Sequence, residues 1–228
     1  MKGTMIQFAS HADGATYEGY LVKPDSGAGP GIVVIQEWWG LVNHIKDLAD
    51  RLAAEGFVAL APDLYGGKVA TEPDEAGKLM MSLNIAEAER ILSLAIGRLL
   101  DDEATTSASV GVIGFCMGGQ LALFAAGANP GVTACVDFYG IHPNVTPSYG
   151  NFVGPVLGIF AEHDKSASPE AVANLGAELD AHGKRHEFIT YPGTDHAFFN
   201  DARPEVYNAE ASIDAWRRVL AFFHEHVK

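Results

Sequence analysis

A cysteine framed by glycines stands where one apolar run ends and another begins. Residues 111–127 read GVIGFCMGGQLALFAAG, and Cys116 is the centre of a Gly-x-Cys-x-Gly frame formed with Gly114 and Gly118. A strand that turns sharply into a helix needs small residues on both sides, and it raises the central side chain above the sheet. Free N–H groups at a helix start favour a thiolate. We interpret Cys116 as a candidate nucleophile; the alternative is an inert buried cysteine, which is common in strands.

An acid and a base follow this cysteine in chain order. Asp164 comes just after the apolar run of GIFAEHDKS, and His196 comes just after that of YPGTDHAFF. Both are expected at the carboxyl edge of a parallel sheet, which is also where the cysteine turn lies. His196 would exchange a proton with the thiol, and Asp164 would orient the imidazole. Asp137, in CVDFYG, also lies near a strand end and is the alternative acid.

Two further features of the sequence fit acyl chemistry. The backbone N–H of Met117, directly after the cysteine, is placed to bind a developing oxyanion. Glu37 ends the β-branched run PGIVVIQE and is followed by Trp38 and Trp39. A carboxyl in an apolar pocket has a raised pKa and can act as a base near neutrality. The alternative for Glu37 is an exposed residue at a strand end.

The elements that must position these residues alternate along the chain. Strand-like runs such as FVALAPDLYG alternate with helical patterns such as NIAEAERILSLAIGRLLDD. This predicts an α/β protein with a mostly parallel, doubly wound sheet and helices on both faces. The segments MIQFAS and ATYEGYLVKP predict an antiparallel hairpin at one edge, turning at Asp13-Gly14. No repeat or linker interrupts residues 1–228, so we predict one domain, ending in a helix over about 204–226.

Two segments contain no predicted core element. Residues 65–81 and 140–154 each follow a strand, so we expect loops that wall a pocket at the carboxyl edge of the sheet.

Composition narrows the possible partners and compartment. The formal net charge is −14, which argues against nucleic acids and anionic membranes. No apolar run approaches the roughly 18 residues that span a bilayer, and the first residues do not show the pattern of a signal peptide. Two cysteines are expected to be reduced thiols in a cytoplasmic protein. No zinc spacing occurs, so we expect no metal or cofactor, a small-molecule substrate, and a monomer or weak dimer.

The cysteine elbow, the order Cys116, Asp164, His196, and the segments VIQEWWG and APDLYGG together resemble the dienelactone hydrolase (carboxymethylenebutenolidase) family. The resemblance covers nearly the whole chain. It implies the α/β-hydrolase fold and the hydrolysis of enol lactones. It also implies that Glu37 contacts the resting thiol and helps to ionise it, and that the amide of Trp38 is the second oxyanion donor.

One departure from that family concerns the substrate. Family members that act on dienelactone hold its carboxylate with two arginines, but Asn200 stands at one of these positions and no arginine occurs between Arg51 and Arg90. Lys68, Lys78 and Arg203 are the candidate replacements. The residues expected to contact substrate are Trp39, Tyr65, Lys68, Phe198 and Arg203.

The choice of a thiol narrows the substrate class. A cysteine thiol has an ordinary pKa of about 8.5, whereas an alkoxide is far more basic, closer to water at about 16. The intermediate formed with an alkyl ester would therefore expel the thiolate again. We predict a cysteine-dependent hydrolase of enol lactones or activated carboxylic esters, working through a thioester acyl-enzyme. The alternatives are a redox-sensing thiol protein and a non-catalytic ligand-binding relative.

Overall fold

The computed structural model describes residues 2–10, 13–140 and 142–228. His11 and Ala12, beside the predicted hairpin turn, and Ile141, in the predicted second loop, lie outside the described residues. The described strands are β1 Thr4–Ala9, β2 Thr16–Val22, β3 Gly29–Ile35, β4 Val58–Pro62, β5 Thr105–Phe115, β6 Val132–Phe138, β7 Val156–Ala161 and β8 His186–Tyr191. The helices are α1 Asn43–Ala54, α2 Pro73–Met81, α3 Ile85–Leu100, α4 Met117–Ala128, α5 Pro169–Ala181 and α6 Ala209–His226, with a 3₁₀ turn at Tyr149–Asn151.

The described strands form one sheet in the order β1-β2-β4-β3-β5-β6-β7-β8. Strands β3 to β8 run parallel to one another, whereas β2 is antiparallel to both β1 and β4. The predicted antiparallel hairpin at one edge of a parallel sheet is therefore confirmed. The prediction of one domain stays a prediction, although all these strands share one sheet.

The apolar core lies on both faces of the sheet, as a doubly wound fold requires. Helices α1 and α6 cover one face, and α3 and α4 cover the other. Helix α3 presents its buried side chains at helical spacing: Ala88, Ile91, Leu92, Ala95, Ile96 and Leu99. Helix α4 is instead buried along most of its length. The predicted α/β class with helices on both faces is confirmed.

Two predictions about local structure were wrong. Residues 65–81, predicted as loop, contain helix α2, which starts with Pro73 and carries Asp74 and Glu75 in its first turn. Proline suits the first helical position, and acidic side chains favour the positive helix start. The last helix begins at Ala209 and not near residue 204, because the side chain of Asn208 caps it by accepting a hydrogen bond from the N–H of Ala211.

Among the described residues, every helix is too short or too polar to cross a lipid bilayer.

Candidate active site

The turn between β5 and α4 holds Cys116 in a conformation that side chains rarely adopt, with φ of 55° and ψ of −119°. The turn is tight: a Cβ on Gly114 would lie 1.8 Å from the carbonyl oxygen of Gly118. Two other non-glycine residues of the described chain have positive φ, Tyr139 at 41° and Ala197 at 66°. Such conformations cost about 1–3 kcal/mol each and tend to gather at functional sites. Ala197 adjoins His196, and the ring of Tyr139 is 5.0 Å from the His196 ring.

Asp164 and His196 meet above the carboxyl edge of the sheet. Asp164 Oδ2 lies 2.6 Å from His196 Nδ1. The other oxygen, Oδ1, accepts hydrogen bonds from the N–H groups of Ser166 at 2.7 Å and Ala167 at 2.9 Å. The acid is thus held by its own loop after β7. The geometry favours Asp164 over Asp137 as the partner of His196.

The imidazole of His196 is poised to stay protonated. Burial lowers its pKa, but hydrogen bonds to Asp164 and Cys116, and the charges of these two groups, outweigh burial and raise the pKa to about 10. A positively charged imidazole beside the sulfur stabilises a thiolate.

Glu37 is buried beside these groups, with 2% of its surface exposed. Its Oε2 accepts a hydrogen bond from Asn200 Nδ2 at 3.0 Å. Burial raises the pKa of the Glu37 carboxyl, opposed by the charge of His196, the Asn200 hydrogen bond and the charge of Arg203. The carboxyl therefore holds a proton more readily than an exposed glutamate does.

A small pocket of about 130 Å³ joins these side chains. It is lined by Glu37, Trp38, Trp39, Met80, Cys116, Ser166, His196, Ala197 and Arg203. Larger clefts occur elsewhere on the described surface, but Cys116, His196 and Glu37 line none of them. Within the described ranges, no group of three or more His, Cys, Asp or Glu side chains is placed to hold a metal ion.

The two predicted oxyanion donors belong to different parts of the chain. The N–H of Met117 opens α4, and the N–H of Trp38 follows β3. In the part of the chain that the structure describes, neither N–H donates to a protein acceptor. Both are therefore available to an oxygen of the substrate.

The predicted substrate contacts divide into two groups. Trp39 and Arg203 line the pocket, whereas Tyr65, Lys68 and Phe198 do not. Tyr65 is buried and donates its hydroxyl to Met117 Sδ at 3.2 Å. Lys68 is exposed on the loop after β4. Phe198 is fully buried against aromatic rings of the core, because the chain after His196 turns inward.

The sequence left three neighbours of the site without a role. Met80 lies at the end of α2, inside the segment predicted as a pocket wall, so its region but not its contact was expected. Asn200 stood out only as a departure from a family pattern. No sequence pattern around Tyr139 pointed to the site, because its positive φ and the short distance between its ring and that of His196 are visible only in the structure.

The sheet order and the cysteine elbow define the chain as a protein of the α/β-hydrolase fold. A crystal structure from Klebsiella pneumoniae, assigned as a dienelactone hydrolase, superposes with a TM-score of 0.82 at 28% identity, covering 98% of this chain and 99% of that one. The model of the dienelactone hydrolase family matches residues 17–227. The chain belongs to this family and is a hydrolase that acts on esters or lactones.

Two bacterial relatives extend the similarity over almost the full length. Protein usf of Aquifex pyrophilus is 38% identical over 233 residues, covering 99% of each chain. A protein of Aquifex aeolicus is 34% identical, covering 99% of this chain and 100% of the relative. That relative is assigned as a carboxymethylenebutenolidase.

Proposed function

We propose that this protein is a cysteine-dependent hydrolase of enol lactones or activated carboxylic esters, with Cys116 as nucleophile, His196 as proton carrier and Asp164 as the group that orients His196. One observation carries the proposal: the strained cysteine turn shares a pocket with His196, whose imidazole is bonded to Asp164 at 2.6 Å. Nucleophile, base and orienting acid in this arrangement are the parts of covalent acyl transfer.

The reaction follows from these positions in two stages. The thiolate of Cys116 attacks the carbonyl carbon, and the resulting oxyanion accepts hydrogen bonds from the N–H groups of Met117 and Trp38. The carbon–oxygen bond to the leaving group breaks, His196 supplies its proton, and a thioester remains. Water then gives a proton to His196 and attacks the thioester, which releases the acid and restores the thiolate.

The leaving group decides whether this sequence moves forward. A thiolate departs more readily than an alkoxide, since thiols are far more acidic than alcohols. An enol or a phenol is acidic enough to leave in its place. The pocket of about 130 Å³ suits a compact acyl group.

Glu37 is proposed to assist by accepting the thiol proton when the thiolate forms. Burial raises the pKa of its carboxyl above the usual value for glutamate, which makes the carboxylate a stronger base than an exposed glutamate is. It lines the same pocket as Cys116.

The test uses both cysteines. Cys116→Ala should abolish turnover of p-nitrophenyl acetate and the acetyl adduct that mass spectrometry detects on the wild type. Cys135→Ala is the matched control, because Cys135 is buried in β6 with 2% of its surface exposed. Iodoacetamide should inactivate the wild type by labelling Cys116. Wild-type activity in Cys116→Ala would refute the proposal.

The two alternatives predict different results from the same proteins. A redox sensor would form a lasting oxidised thiol without esterase turnover. Cys135 is a poor resolving partner for such a thiol, because it is buried. A non-catalytic binding protein would show neither turnover nor an acetyl adduct.

A further inference from the structure

Asn200 links the loop that carries His196 to the end of strand β3. Its side chain is buried, with 3% exposed, and its amide Nδ2 donates to Glu37 Oε2 at 3.0 Å. Its Oδ1 accepts from the N–H of Ala202 at 3.1 Å, which fixes the amide orientation. The nitrogen therefore faces the carboxyl, and the oxygen is used within its own loop.

The Glu37 carboxyl is satisfied on one side only. Oε2 has the Asn200 donor, whereas Oε1 is buried without a hydrogen-bond partner among the described residues. An unpaired buried oxygen is costly when it carries charge and much less so when it carries a proton. The arrangement thus leaves one oxygen free to take a proton.

Four other titratable groups surround this carboxyl. His196 and Arg203 act on Glu37 as positive charges, Tyr139 interacts with it electrostatically, and Cys116 shares its pocket. Arg203 is engaged elsewhere, since its Nε donates to Glu205 Oε1 at 2.8 Å. Among the described side chains, the neutral amide of Asn200 is thus the one that donates a hydrogen bond directly to the Glu37 carboxyl.

We propose that Asn200 is a positioning residue for the reaction, which holds Glu37 by one oxygen and, as a neutral donor, sets the pH at which Glu37 becomes available as a base. This inference rests on the proposed function. A cation at this position would bind the carboxylate strongly and make it a weak base. An apolar residue would leave the carboxyl protonated to higher pH, since burial alone would act on it. The amide gives an intermediate proton affinity.

The first test is the pH profile of kcat/KM for Asn200→Asp. This variant keeps an oxygen for the Ala202 N–H but replaces the donor by a second carboxyl, so Glu37 should hold its proton to higher pH. Loss of a hydrogen bond to a charged group corresponds to about one to two pH units, and the acidic limb should move upward by that amount. Asn208→Asp adds the same charge at the α6 cap, and its limb should stay in place.

The same substitution in a protein that lacks the Glu37 carboxyl separates an effect on Glu37 from a general effect on the fold. In Glu37→Gln, adding Asn200→Asp should leave the remaining pH profile unmoved. An equal shift with and without Glu37 would overturn the inference, and so would an unmoved limb in Asn200→Asp itself. Asn200→Ala removes the amide and leaves no side-chain donor or charge in its place. This variant should move the limb in the same direction, and it provides the test if the aspartate variant does not fold.

A third measurement does not depend on activity. In Cys116→Ala, carbon-13 NMR titration of the Glu37 carboxyl should give a higher midpoint when Asn200→Ala is added. An unchanged midpoint would overturn the role of Asn200 even if the cysteine mechanism holds. A fully active Cys116→Ala would instead overturn the proposed function and leave the titration to decide the Asn200–Glu37 coupling.

Discussion

The two carboxyl groups beside the sulfur and the imidazole differ in the number of hydrogen bonds that they accept. Asp164 accepts hydrogen bonds through both oxygens, whereas Glu37 accepts only one. Hydrogen bonds through both oxygens hold Asp164 in place to orient His196, whereas the half-bonded, buried carboxyl of Glu37 has one oxygen left to take a proton. Two acids of the same chemistry therefore suit two different roles.

Replacing Glu37 tests the second of these roles. Glu37→Gln keeps the shape of the side chain and an oxygen for the Asn200 amide, so the thermal midpoint should change little. Loss of general-base help should lower kcat/KM by about 10²–10⁴-fold. Rates on p-nitrophenyl acetate between pH 6 and 9 provide the measurement, and a profile identical to wild type would show that Glu37 has no part in ionising the thiol.

Leaving-group acidity should control the rate steeply. We expect wild-type turnover to fall sharply from p-nitrophenyl to phenyl to ethyl acetate, because the thiolate leaves in preference to an alkoxide. Cys116→Ser reverses that preference but needs a stronger general base, so it should be weak on all three esters with a shallower slope. Equal wild-type rates on p-nitrophenyl and ethyl acetate would remove the reason for preferring enol lactones.

Dienelactone itself should be a poor substrate compared with neutral activated esters. Asn200 is committed to Glu37, and of the three candidate cations only Arg203 lines the pocket. A charge-assisted contact is worth about 1.5–3 kcal/mol, so the loss of one or two such contacts should raise KM by more than an order of magnitude. A low-micromolar KM would contradict this, and Arg203→Ala would then show whether Arg203 had become the anchor.

At the scale of elements, close backbone approach holds the site together. A Cβ on Gly118 would lie 2.5 Å from the carbonyl oxygens of both Ile35 and Gln36, at the end of β3. Helix α4 therefore sits directly against the end of the strand that precedes Glu37. Helix α2 adds Met80 to the lining of the pocket, so a segment without a clear core pattern still shapes the pocket.

Gly118→Ala should be destabilising, because backbone oxygens cannot move aside as a side chain can. We expect a loss of about 1–3 kcal/mol in the free energy of unfolding, measured with urea, together with reduced activity. Gly97→Ala in α3 is the matched control, since its Cβ would meet no atom within 4 Å. That change should be neutral or stabilise by about 0.5–1 kcal/mol. Equal unfolding free energies for the two variants would contradict the packing argument.

At the scale of the whole molecule, a carboxyl in the middle of the sheet should make stability depend on pH. Asp137 pairs in register with Gly114, and its side chain is fully buried. Burial raises its pKa to about 7, and neither carboxyl oxygen has a hydrogen-bond partner among the described residues. Its neighbours Cys135 and Tyr149 carry no positive charge that would favour ionisation.

The sign of this effect follows from the raised pKa. The folded protein keeps the Asp137 proton up to about pH 7, while the unfolded chain loses it near pH 4. Stability is therefore greatest below that lower value and declines as pH rises through 7, at about 1.4 kcal/mol per unit of difference. Asp137→Asn should be more stable than wild type at pH 8, with no gain at pH 3.5, in thermal unfolding at both pH values. A gain that is equal at both would contradict a titrating Asp137.

The sequence by itself was sufficient to predict the fold class and the edge hairpin, and to single out the candidate catalytic cysteine, histidine and acid. These depend on local regularities: apolar periodicity, glycine spacing, and the position of a residue just after a strand. Because parallel strands end at one edge of the sheet, the position of Cys116, Asp164 and His196 just after their strands was enough to predict that all three lie at that edge.

Tertiary structure decided what depends on distances between chain segments. It paired His196 with Asp164 rather than Asp137, joined Asn200 to Glu37, and turned Phe198 into the core. It also placed Arg203 in the pocket and left Lys68 outside. Two acids at strand ends look alike in a sequence, but only one lies within hydrogen-bond reach of a given imidazole. Burial, which sets the proton affinity of Glu37, is likewise a property of all the segments packed around it.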